Sequence, residues 1–208
     1  MCFIYFINTL YTKLRPIKKD LNTSHTRAFS KKKNFNGPKL NISNFNRNEN
    51  NFHQDELKQH ITKILPFLFL GDWTASEDKT LLDKHNIKLI INCTDMDSHE
   101  FDGIEYIQVP VKDMLDEPIK DYFNSTYDKI DEAIEDNKGV LIHCSRGISR
   151  STTILIAYLM RSQKTTFTET FKQVIQERSF VSPNIDFIGQ LIAYEKKLGI
   201  LNHTCEST

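Results

Sequence analysis

The segment Val140 to Ser151, VLIHCSRGISRS, gathers the residue types that phosphoryl chemistry needs, at a spacing that lets them meet. The apolar run Val140–His143 reads as a short buried strand that delivers Cys144 to a turn of five residues, and Arg150 closes the turn where a helix starts. Successive backbone N–H groups in such a turn point inward, and the helix N-terminus adds partial positive charge. Arg150 offers a planar fork matched to phosphate oxygens. Gly147 permits the tight curvature that a side chain would obstruct. The same field stabilises a thiolate, because cysteines at helix N-termini near cations fall to about 3.5–7.5. Cys144 is therefore the expected nucleophile at neutral pH. A phosphate held by those amides and Arg150 puts phosphorus beside the sulfur, which can displace the ester oxygen and form a phosphocysteine. Ser145 and Ser149 contribute backbone and small size, and Arg146, Gly147 and Ile148 complete the expected substrate cradle.

The elements around this segment must bring it to one end of a sheet. Ile64–Leu70 and the β-branched run Lys88–Asn92 read as strands, with helical spacing over Ala75–His85 between them. Ile104–Val111 alternates as a strand should, and Pro110 hints at an edge or bulge. Ile119, Tyr122, Phe123, Thr126, Ile130, Ala133 and Ile134 recur at steps of three and four, marking an amphipathic helix that ends near Asn137-Lys138-Gly139. Ile148, Thr152, Leu155, Ile156 and Leu159 mark the helix after the Cys144 turn. Two more helices follow, one over Phe167–Glu177 and one opening at a Ser182-Pro183 cap and running to about Leu198. Alternating strands and helices of this kind predict an α/β fold, a three-layer sandwich with a mostly parallel central sheet and helices on both faces.

The 208 residues are 39% hydrophobic, 26% charged and 11% aromatic, which excludes collagen-like, coiled-coil and wholly disordered chains. The formal charge is zero, but residues 1–48 carry +9 and residues 49–208 carry −9. The first 52 residues are Asn/Lys-rich without sustained periodicity and are expected to be a disordered basic tail, with one folded domain over residues 57–204. The apolar start Met1 to Leu10 is too short to span a membrane and lacks the features of a secretory signal, and no transmembrane segment is expected. Cys2, Cys93, Cys144 and Cys205 lie far apart, with no CxxC and no zinc-like spacing, so neither a disulfide framework nor a metal is expected and a reducing compartment is. That places the protein in the cytoplasm or nucleus, with a mitochondrial transit peptide as the minority reading of the basic, acid-poor start.

His143-Cys144-Ser145-Arg146-Gly147-Ile148-Ser149-Arg150-Ser151 resembles the signature of the cysteine-dependent dual-specificity protein phosphatases, in its small atypical branch. Phe69-Leu70-Gly71-Asp72-Trp73, Ile91-Asn92-Cys93-Thr94, Ala157-Tyr158-Leu159-Met160 and Ser182-Pro183-Asn184 resemble family landmarks in the same order. The resemblance implies a protein-tyrosine-phosphatase-like fold, no cofactor, and hydrolysis of phosphotyrosine and phosphoserine/threonine in proteins. It also implies a general acid on a loop upstream of the nucleophile. Asp113, 31 residues before Cys144, fills that place, and Asp116 is its competitor. One carboxyl group can donate a proton in the first step and accept one from water in the second.

By the same resemblance Ser151 hydrogen-bonds the sulfur and helps it leave, against an ordinary first-turn helix serine. His143 either supports the loop and tunes the thiolate or is a plain buried histidine. Cys93 is either a resolving thiol that forms a disulfide with Cys144 under peroxide or a small buried hydrophobe. Arg146 either favours highly anionic substrates or points into solvent. Lys31-Lys32-Lys33 followed by Leu40 and Ile42 resembles a docking peptide for a mitogen-activated protein kinase, with a nuclear-import signal and a plain solubilising tail as the alternatives. Phosphorylated proteins are the expected partners, and nucleic acid is not. A phosphoinositide or RNA 5′-phosphatase is the alternative enzyme, and a phospho-binding pseudophosphatase the alternative in another class.

Overall fold

A five-stranded sheet carries the chain, in the computed structural model that describes residues 59–200. Its strands are β1 (Ile61–Leu65), β2 (Leu68–Gly71), β3 (Ile87–Asn92), β4 (Glu105–Gln108) and β5 (Gly139–His143), in the spatial order β1-β2-β5-β3-β4. β2, β3 and β4 join parallel neighbours through β5 and β3, and only β1 is antiparallel. The middle strand explains the pattern: all five residues of β5 are buried, as a strand covered on both faces requires. Phe69, Leu141 and Ile90 share one row of the sheet and pack with Ala75 and Leu82 from two short helices, α1 (Trp73–Glu77) and α2 (Lys79–Lys84). Leu70, Ile142 and Ile91 point the other way and are equally buried. That face is covered by α3 (Phe123–Glu135) and α4 (Arg150–Gln163), with α3, α5 (Phe167–Glu177) and α6 (Ile185–Lys197) packed around α4. Ten consecutive residues of α4, Ser151 to Met160, are buried, so this helix is interior on every side.

Four local expectations are corrected. Ile64–Leu70 is two strands, because Pro66 and Phe67 turn the chain back on itself, with Phe67 at a φ of 64°. A proline followed by a left-handed residue is a tight-turn geometry that usually recruits glycine, and a phenylalanine there hides it. Ala75–His85 is broken at Asp78, whose carboxylate caps α2 by accepting from the Leu81 amide, just as Asp72 caps α1 through Ala75. β4 stops at Gln108, short of Pro110, which has no N–H for the ladder, and the chain tightens so that the Val111 amide reaches the Val109 carbonyl at 2.8 Å. The last helix is capped by Asn184 rather than at Ser182-Pro183, with the Asn184 side chain accepting from the Phe187 amide. The basic tail, with its Lys31-Lys32-Lys33 run, lies outside the described residues, as do Cys2 and Cys205. Among the described residues no helix is long and apolar enough to cross a membrane, and no group of three or more His, Cys, Asp or Glu is placed to hold a metal ion.

Candidate active site

Cys144 follows β5 directly and is 3% exposed, at the base of a loop that ends in α4. Its Sγ accepts from Ser151 Oγ at 3.2 Å. Burial pushes the thiol pKa up, but the Ser151 hydroxyl and the amides of Ser151, Arg146 and Ile148 outweigh it and hold the thiol below its ordinary value. The sulfur therefore sits among inward-pointing donors.

Those donors face inward because the carbonyls are held from outside. Arg178, 2% exposed, donates from Nε to Gly147 O at 3.1 Å and from Nη2 to Arg146 O at 3.4 Å. Its Nη1 reaches back to Gln59 O and Thr62 Oγ1 at the start of the sheet. The Ser182 amide holds Ile148 O at 2.8 Å, and Thr153 holds Ser149 O through both its amide and its hydroxyl. With the carbonyls so engaged, a peptide plane in this loop can turn only its N–H toward the centre. Gly147 is required twice over: its φ is +63°, and a Cβ would lie 2.5 Å from Gly71 O and 2.9 Å from Arg178 Nη2. Burial pushes the Arg178 guanidinium down to about 10, against the opposing pull of Asp72 and Cys144.

Arg150 spans the mouth of the loop, donating from Nη2 to Ser145 Oγ at 2.9 Å and from Nη1 to Val111 O at 3.3 Å. Its buried Nε meets no protein partner, which leaves a donor for an oxyanion. Ser149 occupies the N-cap of α4 but makes no side-chain cap bond. Its hydroxyl is diverted to Asp113 Oδ1 at 2.6 Å, while the Asn184 amide donates to it at 3.1 Å. The uncapped amides at the start of α4 remain turned to the loop. Asp113 itself is exposed at the lip, and the Asn184 side chain donates to the same Oδ1 at 2.9 Å. Asp116 is exposed farther along the loop with a φ of 64°, so of the two acids it is Asp113 that is joined to the Cys144 loop.

The supporting residues fall below this layer. His143 is fully buried, and its ring packs edge-on to Trp73 at 6.0 Å. Burial drives its pKa down to about 4, so the ring is neutral and offers the thiolate no cation. Its carbonyl accepts from the Cys93 amide at 2.8 Å, tying β3 to β5 beside the nucleophile. Cys93 is fully buried, and burial, followed by the charge of Cys144, pushes its thiol well up. Arg146 is exposed and engages the fold through its carbonyl. Sequence reasoning missed Arg178, which sits among Glu177, Ser179 and Phe180 like a surface charge. Asn184 does carry a signal, since an Asn just before the apolar periodicity of Phe187, Ile188 and Leu191 is a readable N-cap.

A loop of this design at the carboxyl end of parallel strands can seat a tetrahedral oxyanion and present a sulfur nucleophile to it, the chemistry of a cysteine-dependent phosphatase domain. Residues 68–197 match the family model of the dual specificity phosphatase catalytic domain, and the chain belongs to that family. It is 39% identical over 137 residues to dual specificity protein phosphatase 1-A of Xenopus laevis, covering 65% of this chain and 37% of that one. It is 36% identical over 148 residues to human dual specificity protein phosphatase 6, covering 70% and 39%. The chain thus spans less than half the length of these two relatives. The crystal structure of human DUSP28 superposes with a TM-score of 0.65 at 27% identity, over 67% of this chain and 95% of that one.

Proposed function

We propose that this chain is a phosphoprotein phosphatase that hydrolyses phosphotyrosine and phosphoserine/threonine through a phosphocysteine at Cys144. The observation that carries the reading is the Cys144 sulfur at the base of the loop, accepting from the Ser151 hydroxyl at 3.2 Å, with Arg150 in the same loop. In the first step the thiolate attacks phosphorus, the ester P–O bond breaks, and Asp113 gives its proton to the departing oxygen. In the second, water attacks phosphorus, Asp113 takes the proton, and the P–S bond breaks to return the thiolate, which the Ser151 hydroxyl stabilises as it leaves. Arg150 and the amides of Ser145 to Ser149 carry the equatorial oxygens through both steps. The scheme uses no metal.

Protein substrates are favoured by the relatives' names and by Ser145 and Ile148, where a lipid-directed loop tends to carry lysine. Arg146 points to solvent, the plainer of its two readings. The catalytic domain is assigned to residues 57–204, with residues 1–52 as a separate basic segment whose Lys31-Lys32-Lys33 and Leu40 to Ile42 would engage a mitogen-activated protein kinase. The proposed compartments are cytoplasm and nucleus. Cys93 is assigned as the resolving thiol under peroxide.

The test is hydrolysis of phosphotyrosine and phosphoserine peptides with chelator present. Wild type turns over both; Cys144→Ser loses activity by more than about four orders of magnitude while still binding phosphopeptide. Asp113→Asn loses about 10²-fold or more on a poor leaving group and little on an activated one. A silent wild type that binds phosphopeptide would convert the reading to a phospho-binding module. Wild-type deletion of residues 1–52 tests the kinase contact: unchanged affinity for the kinase removes it from the proposal.

A further inference from the structure

Asp113 lies on an exposed loop, yet a proton donor must be held within hydrogen-bond reach of one oxygen of the bound substrate. The bonds that hold it converge from two distant segments. Ser149 from the Cys144 loop donates to Oδ1 at 2.6 Å, and Asn184 from the start of α6 donates to the same oxygen at 2.9 Å. Asn184 acts at two further points: its backbone amide donates to Ser149 Oγ at 3.1 Å, which commits that hydroxyl's own proton to Asp113, and its Nδ2 reaches the Met114 carbonyl at 3.3 Å. With Oδ1 taken by two donors, Oδ2 is the oxygen that carries the proton to and from the substrate.

The other end of the same side chain is a helix cap, Asn184 Oδ1 accepting from the Phe187 amide at 2.9 Å. Only a carboxamide does both: it has an acceptor for the helix and a donor for the acid. Aspartate is an equally good N-cap but has no donor, and serine is a good N-cap without the reach of the amide. We infer that Asn184 is the positioning residue of the proton donor, joining the Asp113 loop to the Cys144 loop through Ser149 and aiming the second carboxyl oxygen at the leaving group. The inference rests on the reading of Asp113 as the general acid.

The experiment compares wild type, Asn184→Asp, Asn184→Ala and Asp113→Asn in the full chain, measuring kcat on an activated aryl phosphate and on unsubstituted phenyl phosphate, together with thermal midpoints. Asn184→Asp keeps the cap but sets a carboxylate against Asp113 in place of a donor; it retains kcat within about twofold on the activated ester, and loses about tenfold or more on the poor leaving group. Asn184→Ala shows the same leaving-group-selective loss with a lower midpoint, since it loses the cap as well. If Asn184→Asp matches wild type on both esters while Asp113→Asn is impaired on the poor one, Asn184 is only a cap and the inference falls with the acid assignment intact. An equal loss on both esters for Asn184→Asp and Asn184→Ala also overturns it, because the residue then acts through the fold. If Asp113→Asn is itself unimpaired on phenyl phosphate, the acid assignment has failed first.

Discussion

The two loops that meet at the active site are built on opposite principles. The Cys144 loop is fastened from behind: buried Arg178, the Ser182 amide and Thr153 take its carbonyls, and a close approach to Gly71 leaves no room at Gly147. The Asp113 loop is exposed from Lys112 to Asp116 and is held by side-chain bonds at its ends, Asn184 to Asp113 and Met114, and Gln190 to the Glu117 carbonyl and the Lys120 amide. Exposed bonds of this kind contribute about 0.5–1.5 kcal/mol each, whereas a buried cation stripped of its partners, or a carbonyl stripped of its donor, costs more. The lesson is that the proposed nucleophile is preorganised by buried hydrogen bonds and close packing, which fix one geometry, and the proposed proton donor by exposed polar tethers, which can be tuned singly.

The sharpest way to break the contrast is Gly147→Ala. Both its φ and the 2.5 Å approach to Gly71 O forbid the methyl group, so the variant should lose its activity and about 2–4 kcal/mol of stability. Denaturant unfolding together with turnover checks it; a variant with wild-type midpoint and rate would show that the loop is not tightly fixed. His143 tests the same rigidity from beneath. In the folded chain its pKa is about 4, and in the unfolded chain it is near the ordinary 6.5, so below pH 6.5 the unfolded state binds the extra proton. Stability contributed by the neutral buried ring is complete above pH 6.5 and declines as pH falls toward 4, by about 3 kcal/mol in all. Midpoints at pH 7 and pH 4 should show that loss in wild type and a flatter response in His143→Leu; parallel responses would put the acid sensitivity elsewhere.

The smallest expected effect concerns Cys93. In the proposed resolving role, peroxide would oxidise the Cys144 thiolate to a sulfenic acid, and the Cys93 sulfur would displace water to form the disulfide. Because burial and the neighbouring Cys144 keep the Cys93 thiol protonated, this second step should be slow, and only part of the protein is expected to carry the linked peptide after mild peroxide. Peptide mapping that finds sulfinic Cys144 and no linked peptide would remove Cys93 from the redox assignment.

Val140 to Ser151 was legible as a site because its chemistry is local: strand, cysteine, glycine, arginine and helix follow one another in the chain. The parallel placement of Cys93 beside β5 was legible for a related reason, since two β-branched runs buried on both faces have few other places to go. What was hidden depends on contacts between distant segments or on residues in unusual conformations. Arg178 contacts residues 31 and 119 positions away, and nothing beside it in sequence marks a charge as interior. Phe67 turns a hairpin from a conformation its side chain disfavours, so one apolar run concealed two strands. Asp78 ends one helix and starts the next inside what reads as a single amphipathic stretch.

Arg178 has a consequence for the catalytic cycle as well as for the loop. The guanidinium is buried, and its hydrogen bonds go to carbonyls and a hydroxyl, groups that disperse its charge without cancelling it. With Arg150 and the uncapped start of α4 nearby, Arg178 adds positive potential to the loop against the negative charges of Cys144 and Asp72. A tetrahedral anion in the loop is then a counterion for the protein interior, and at a concentration 100 times its dissociation constant it adds about 2.7 kcal/mol to the folded state. On the proposed phosphatase chemistry, inorganic phosphate would leave against the pull of Arg178 and Arg150, so the cations that recruit substrate would also set the sensitivity to product.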